Sequence, residues 1–102
     1  MPVSPIASTL GYEQLASLST ATGLASIPAN SVPCVATIQC DPVAAKAIRW
    51  RNDGTDPTAN IGMVLLPGVE IQLVESIAEF RAIEVESGAK INVYYGPYPE
   101  KL

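Results

Sequence analysis

Nine prolines and seven glycines are scattered along a chain of 102 residues, so that no interval between them is long. Proline lacks a backbone donor and locks φ, and glycine gives up the most entropy inside a regular element, so each tends to interrupt a helix. Helices of average length, about 11–12 residues, have little room here, whereas strands of about five to eight residues fit everywhere.

Alternation fills those intervals. Over residues 32–40 one face carries Val32, Cys34, Ala36, Ile38 and Cys40, with Thr37 and Gln39 opposite, the period of a half-buried strand. Residues 45–51 set Lys46, Ile48 and Trp50 against Ala47, Arg49 and Arg51, which turns the arginine face to solvent or to a partner. Residues 63–66 form a short apolar strand closed by Pro67-Gly68. Proline pre-sets the first turn position and glycine supplies positive φ at the second, which predicts a type II turn. Residues 70–74 alternate less cleanly, and residues 79–86 place Phe80, Ala82, Glu84 and Glu86 opposite Glu79, Arg81, Ile83 and Val85. After a glycine turn at Ser87-Gly88, residues 90–95 line Ile91, Val93 and Tyr95 along one side. Residues 12–18 read as a further strand, and residues 52–58 as a polar loop of turn-forming side chains.

Seven to eight short strands at about ten-residue spacing predict an all-β fold, either an antiparallel β-sandwich or a jelly-roll-like barrel. The strand order is not readable. Residues 1–102 make one domain: an extended N-terminal arm over 1–11, a sandwich over 12–95 and a Pro-rich tail over 96–102. Gly96-Pro97-Tyr98-Pro99 should leave the sheet in polyproline-like extension.

Composition removes most chemistries. The chain has no histidine, which excludes Ser-His and Cys-His catalytic pairs and imidazole metal sites. Six basic against ten acidic residues give a net charge of −4, the wrong sign for a nucleic-acid surface. Cys34 and Cys40 share one strand face but lie roughly 20 Å apart at about 3.3 Å per residue. A disulfide spans about 7 Å between Cα atoms, so they cannot pair with each other in that strand, and buried free thiols are expected. The longest unbroken apolar run, residues 61–69, contains glycine and proline and falls far short of the ~20 residues of a membrane span. The N-terminus has neither an early basic cluster nor a long apolar segment, so no secretory signal is expected.

Individual constellations are better read as structure. Trp50 between Arg49 and Arg51 is a core anchor rather than a base-stacking platform, given the acidic balance. Tyr94 and Tyr95 point to opposite faces and cannot build one platform with Tyr98. Asn52, Asp53 and Asp56 lack calcium-loop spacing, since the twelfth position is Met63. Glu75, Glu79, Glu84 and Glu86 are a solvated set with nothing to separate an acid from a base. No phosphate-binding glycine motif or nucleophile elbow occurs. Neither an enzyme nor a bound cofactor is expected.

Association is the stronger expectation. Charged residues make up 16% of the chain, against about 25% in ordinary soluble domains. Hydrophobic residues make up 48% and the mean hydropathy is +0.25. A domain so short of charge gives part of its surface to a partner or to its own copies. The candidate contact residues are Pro2, Val3, Pro5 and Ile6 in the first arm, Tyr98 and Leu102 in the tail, and Arg49 and Arg51.

The run Ala47-Ile48-Arg49-Trp50-Arg51-Asn52-Asp53-Gly54-Thr55-Asp56-Pro57-Thr58 carries a resemblance. Supporting it are Tyr12-Glu13-Gln14-Leu15 and Leu18-Ser19 upstream, and Gly62-Met63, Leu66-Pro67-Gly68, Phe80-Arg81-Ala82-Ile83 and Gly88-Ala89-Lys90-Ile91-Asn92-Val93 downstream. Together, over residues 12–95, they resemble small virion structural proteins encoded by tailed bacteriophages and prophages. The resemblance implies a virion protein assembled in the host cytoplasm, first of all a capsid decoration (cement) protein. Its partners would be the major capsid protein or other virion subunits. A tail, collar or head–tail junction subunit is the alternative, as is a carbohydrate-binding module of a receptor-binding apparatus that exposes Trp50 or Tyr98.

Overall fold

A computed structural model describes residues 11–28, 34–74 and 77–97. In chain order the strands are β1 (Gly11–Leu15), β2 (Thr22–Gly23), β3 (Cys34–Cys40), β4 (Ile48–Arg51), β5 (Met63–Leu65), β6 (Glu70–Leu73), β7 (Arg81–Glu84) and β8 (Ile91–Pro97). One 3-10 turn, Ile77–Glu79, precedes β7. The all-β expectation holds.

The strands form two antiparallel four-stranded sheets, β1-β8-β3-β6 and β2-β7-β4-β5. Strand one pairs with eight, two with seven, three with six and four with five. This is a long hairpin rolled upon itself, the jelly-roll order. The central pair of the first sheet, β3 and β8, is in register along its whole length, from Cys34 opposite Pro97 to Cys40 opposite Ile91.

Alternation supplies the core. Cys34, Ala36, Ile38 and Cys40 from β3 and Ile91, Val93 and Tyr95 from β8 point inward and are buried. They meet Ile48, Leu65 and Ala82 of the second sheet and Leu18, Phe80 and Ala89 of the connections. Trp50 packs against this cluster, its ring centroid 5.9 Å from that of Phe80 and the two planes 24° apart. Both cysteines are buried free thiols, as their spacing requires. The Pro67-Gly68 turn is as expected: Gly68 has φ +86° and the Val69 N–H donates to Leu66 O at 3.0 Å.

The structure corrects several boundaries: β1 ends at Leu15 rather than at residue 18, β4 opens at Ile48 rather than at residue 45, and β7 closes at Glu84 rather than at residue 86. The strand expected to open at Glu79 opens at Arg81, because Ile77–Glu79 closes a 3-10 turn in which the Phe80 N–H donates to Ile77 O at 3.2 Å. Gly96 and Pro97, assigned to the tail, are the last residues of β8 opposite Val35 and Cys34. A proline fits there because a strand end can forgo one donor. Gly11, assigned to the arm, is the first residue of β1 and faces Tyr95.

Candidate functional site

Two surfaces remain once the core is closed. The first is the flank made by the edge strands β5 and β6, which the Pro67-Gly68 turn joins. No charged residue occurs between Asp56 and Glu70. Within that stretch Ile61, Met63, Val64, Leu66 and Val69 are all exposed, Met63 to 63%. Val43, on the turn beside it, is exposed to 89%. Among the described residues β5 pairs with β4 alone and forms the edge of its sheet. Soluble proteins usually guard such an edge with lysine, proline or a bulge. β5 reads Met63-Val64-Leu65 and carries none of these side chains.

Beside this edge lies a groove of about 290 Å³ lined by Trp50, Arg51, Asn52, Asp53, Gly62 and Met63. Tryptophan, methionine and arginine are the residue types enriched at the centre of protein interfaces. Its walls are held in place from below. Arg49 reaches under the 52–62 loop, its Nε–H donating to Ala59 O at 3.0 Å and Nη1 to Gly62 O at 2.8 Å. Gly62 has φ +136°, and a Cβ there would stand 3.1 Å from Pro57 Cβ and 3.2 Å from Trp50 O, so the loop closes only with glycine. Arg51 grips Asp53 with Nη2–Oδ2 2.6 Å and Nε–Oδ1 3.1 Å. That guanidinium holds the Asp53 carboxyl below the ordinary carboxylate range.

The second surface is the outer face of the β1-β8-β3-β6 sheet. Two rows cross it in register: Tyr12, Tyr94, Thr37 and Gln72, then Gln14, Asn92, Gln39 and Glu70. Their side chains are wired together. Tyr12 Oη–H and Gln14 Nε2 both donate to Asn92 Oδ1, at 3.0 and 2.9 Å, and Asn92 Nδ2 donates to Gln39 Oε1 at 3.1 Å. Gln72 Nε2 donates to Thr37 Oγ1 at 3.3 Å. A shallow groove of about 290 Å³ lies over Tyr12, Thr37, Gln39, Glu70, Asn92 and Tyr94.

No family model matches the chain. No curated protein and no solved structure gives a match either.

The residues singled out from sequence are dispersed. Arg49 and Arg51 lie on the outer face of the second sheet, both engaged as described above. Pro2, Val3, Pro5, Ile6, Tyr98 and Leu102 lie outside the described residues, as does Glu75. Asp53 accepts from the Thr55 N–H at 3.2 Å as well as from Arg51, so its carboxylate is occupied by the loop's own donors. Glu84 accepts from the Gly88 N–H and Glu86 pairs with Lys46, which sets the two carboxylates to separate local tasks. Tyr94 and Tyr95 do face opposite sides, with Tyr95 buried and its hydroxyl on Glu13 Oε2 at 2.5 Å.

Sequence reasoning missed both surfaces. The 61–69 run reads from sequence as too short for a membrane span and as a short strand closed by Pro67-Gly68, while the absence of charge from residues 57–69 is the signal for an exposed apolar flank. The amide-and-tyrosine face draws on four strands, and no single stretch of sequence displays it.

Proposed function

We propose that the protein is a virion structural module that works by contact rather than turnover, a capsid decoration protein of a tailed phage. The observation that carries the reading is the β5 flank, an apolar sheet edge without a guarding charge, next to a groove walled by Trp50, Arg51 and Met63. Such a surface fits a neighbouring subunit, and burying it would remove the apolar area that a free domain leaves in water. The resemblance to phage virion proteins supplies the setting, and jelly rolls are a frequent architecture in viral capsid proteins. Fold alone does not assign the role.

Binding stabilises the shell because contact energy is gained only by the assembled state, and many sites act together. Each copy therefore needs only modest affinity.

The test is to locate the chain in purified particles by electron microscopy and count its copies. Sedimentation of added protein with undecorated shells then compares wild type with Val64→Lys. We expect a regular array on the capsid surface and shell binding weakened about ten-fold or more by the introduced charge, equivalent to about 1.4 kcal/mol per site. A chain that stays in the soluble fraction, or sits only in the tail, or binds equally well with Lys at position 64, overturns the proposal.

A further inference from the structure

From the outer face of the first sheet we infer a second binding site, one for an uncharged oligosaccharide, centred on Tyr12, Tyr94, Asn92 and Gln39. This face is centred on β1, β8 and β3, away from β5, and meets the proposed shell contact only at the β6 edge where Glu70 stands.

The argument starts from what stands on the face. Exposed sheet faces are ordinarily solvated by charged side chains. Among the described strand residues pointing outward here, Glu70 alone is charged, and the rest are phenols, amides, threonine, valine and glycine. A polyanion would meet a carboxylate and a net charge of −4, and an organic cation would find only one opposite charge. The chemistry that remains is neutral and rich in hydroxyls.

Planar amides carry donor and acceptor side by side, as a vicinal diol does, so Asn and Gln side chains can engage adjacent sugar hydroxyls in pairs. Here they are pre-set. Asn92 Oδ1 receives two donors and Nδ2 donates to Gln39, so Asn92 is spent on holding the row, and the groups the network orients toward a ligand are the Gln14 Oε1 acceptor and the Gln39 Nε2 donor. Such pre-ordering lowers the entropic cost of binding. Glu70, at the end of that row, is an acceptor for further hydroxyls.

The aromatic rings complete the match. Tyr12 and Tyr94 are cross-strand partners, and Tyr12 is 60% exposed. Tyr12 leans diagonally to reach Asn92 with its hydroxyl. Tyr94 leans along its own strand, with Cε2 3.5 Å from where a Cβ at Gly96 would stand. A Cβ there would meet the ring at ordinary van der Waals distance, so a larger, branched side chain is needed to displace it. An exposed ring such as that of Tyr12 offers its negative π face to the polarised C–H groups of a pyranose. A groove of about 290 Å³ is at the small end of ligand sites, which run from about 300 Å³ upward. It suits one sugar unit of a chain laid across an open face.

The test uses the full-length chain, labelled with nitrogen-15 and titrated at millimolar concentration with cellohexaose, maltohexaose and mannohexaose. An oligogalacturonate serves as the acidic control. At least one neutral sugar should shift the amides of Tyr12, Thr37, Gln39, Asn92 and Tyr94, and the acidic one should not. Tyr12→Ala should weaken that binding about ten-fold. Gly96→Val, which keeps both rings but lifts Tyr94, should weaken it too. Three results overturn the inference: no shift with any neutral sugar, shifts that centre on Trp50, or unchanged affinity in both variants. Shifts on this face that follow protein concentration rather than sugar would instead assign it to a second copy of the chain. Shell sedimentation with Val64→Lys reads the other surface, so either reading can fail alone.

Discussion

Glu13 shows how one polar side chain can tie a sandwich together at its margin. It sits on the inward parity of β1, where an apolar residue would be expected, and its carboxylate accepts from Tyr95 Oη–H at 2.5 Å and from the Ser26 N–H at 2.9 Å. The Ala25 N–H donates to it as well. A strand of the first sheet is thereby joined to the segment that follows β2 of the second. Burial, then the hydrogen bond to Glu13 and that residue's negative charge, push the Tyr95 phenol well above its ordinary value of 10.0. Below that value the phenol is neutral in both folded and unfolded chains, and its contribution to stability is complete. As pH rises past it the unfolded chain loses the proton and the folded chain keeps it, so stability falls. Tyr95→Phe should cost about 1–2 kcal/mol at neutral pH through the lost charge-assisted bond. Because phenylalanine cannot ionise, the gap between variant and wild type should narrow between about pH 9 and pH 11 in denaturant titrations. A gap that stays constant would show that the Tyr95 proton is not linked to folding.

Among the elements, the 52–62 loop depends on a residue that sequence reading assigned to a partner. Arg49 was expected to face outward, and it does, yet its guanidinium is spent on Ala59 O and Gly62 O. Arg49→Ala would leave those carbonyls without their partner and release the wall of the Trp50–Met63 groove. We expect a loss of about 1–3 kcal/mol. Limited proteolysis should also show faster cleavage within 52–62 and little change elsewhere; uniform cleavage across the chain would refute a local role. The same loop shows what a sequence can and cannot display. β3 and most of β8 were legible because strict alternation survives for seven residues in β3 and for six in β8. β2 was not, since Thr22–Gly23 is two residues long and owes its place to Ala82 and Arg81 across the sheet. The end of β8 was misread because a proline rule about strand interiors does not bind the last position. Sheet order sets which outward residues become neighbours. Tyr12, Gln39 and Asn92 therefore became a site only once β1, β8 and β3 lay side by side, and alternation alone carries no such order.

At the scale of the whole molecule, the jelly-roll order pairs the first strand with the last, so no half of the chain can bury its core alone. β3 leans on β8, which follows it by more than fifty residues, and β8 in turn holds β1. Loop closure over such separations is entropically costly before contacts compensate it, and folding times of about milliseconds to seconds follow. Cys34 and Cys40 report this directly because they mark the two ends of β3. Burial pushes both thiols above their ordinary value of 9.0, with Asp41 adding to the rise at Cys40 and a backbone hydrogen bond from Ile48 opposing it. Few thiolates therefore exist at neutral pH, and a reactive thiolate is what an alkylating reagent needs. The native chain should react slowly, and the denatured chain should label both positions quickly. In pulse-labelled refolding, protection at Cys34 and Cys40 should appear together, in the phase that pairs β3 with β8. Early protection of Cys40 alone would mean that the β3–β6 pairing around the Pro67-Gly68 turn forms a stable unit before the roll closes. The sandwich would then be two cooperative pieces rather than one.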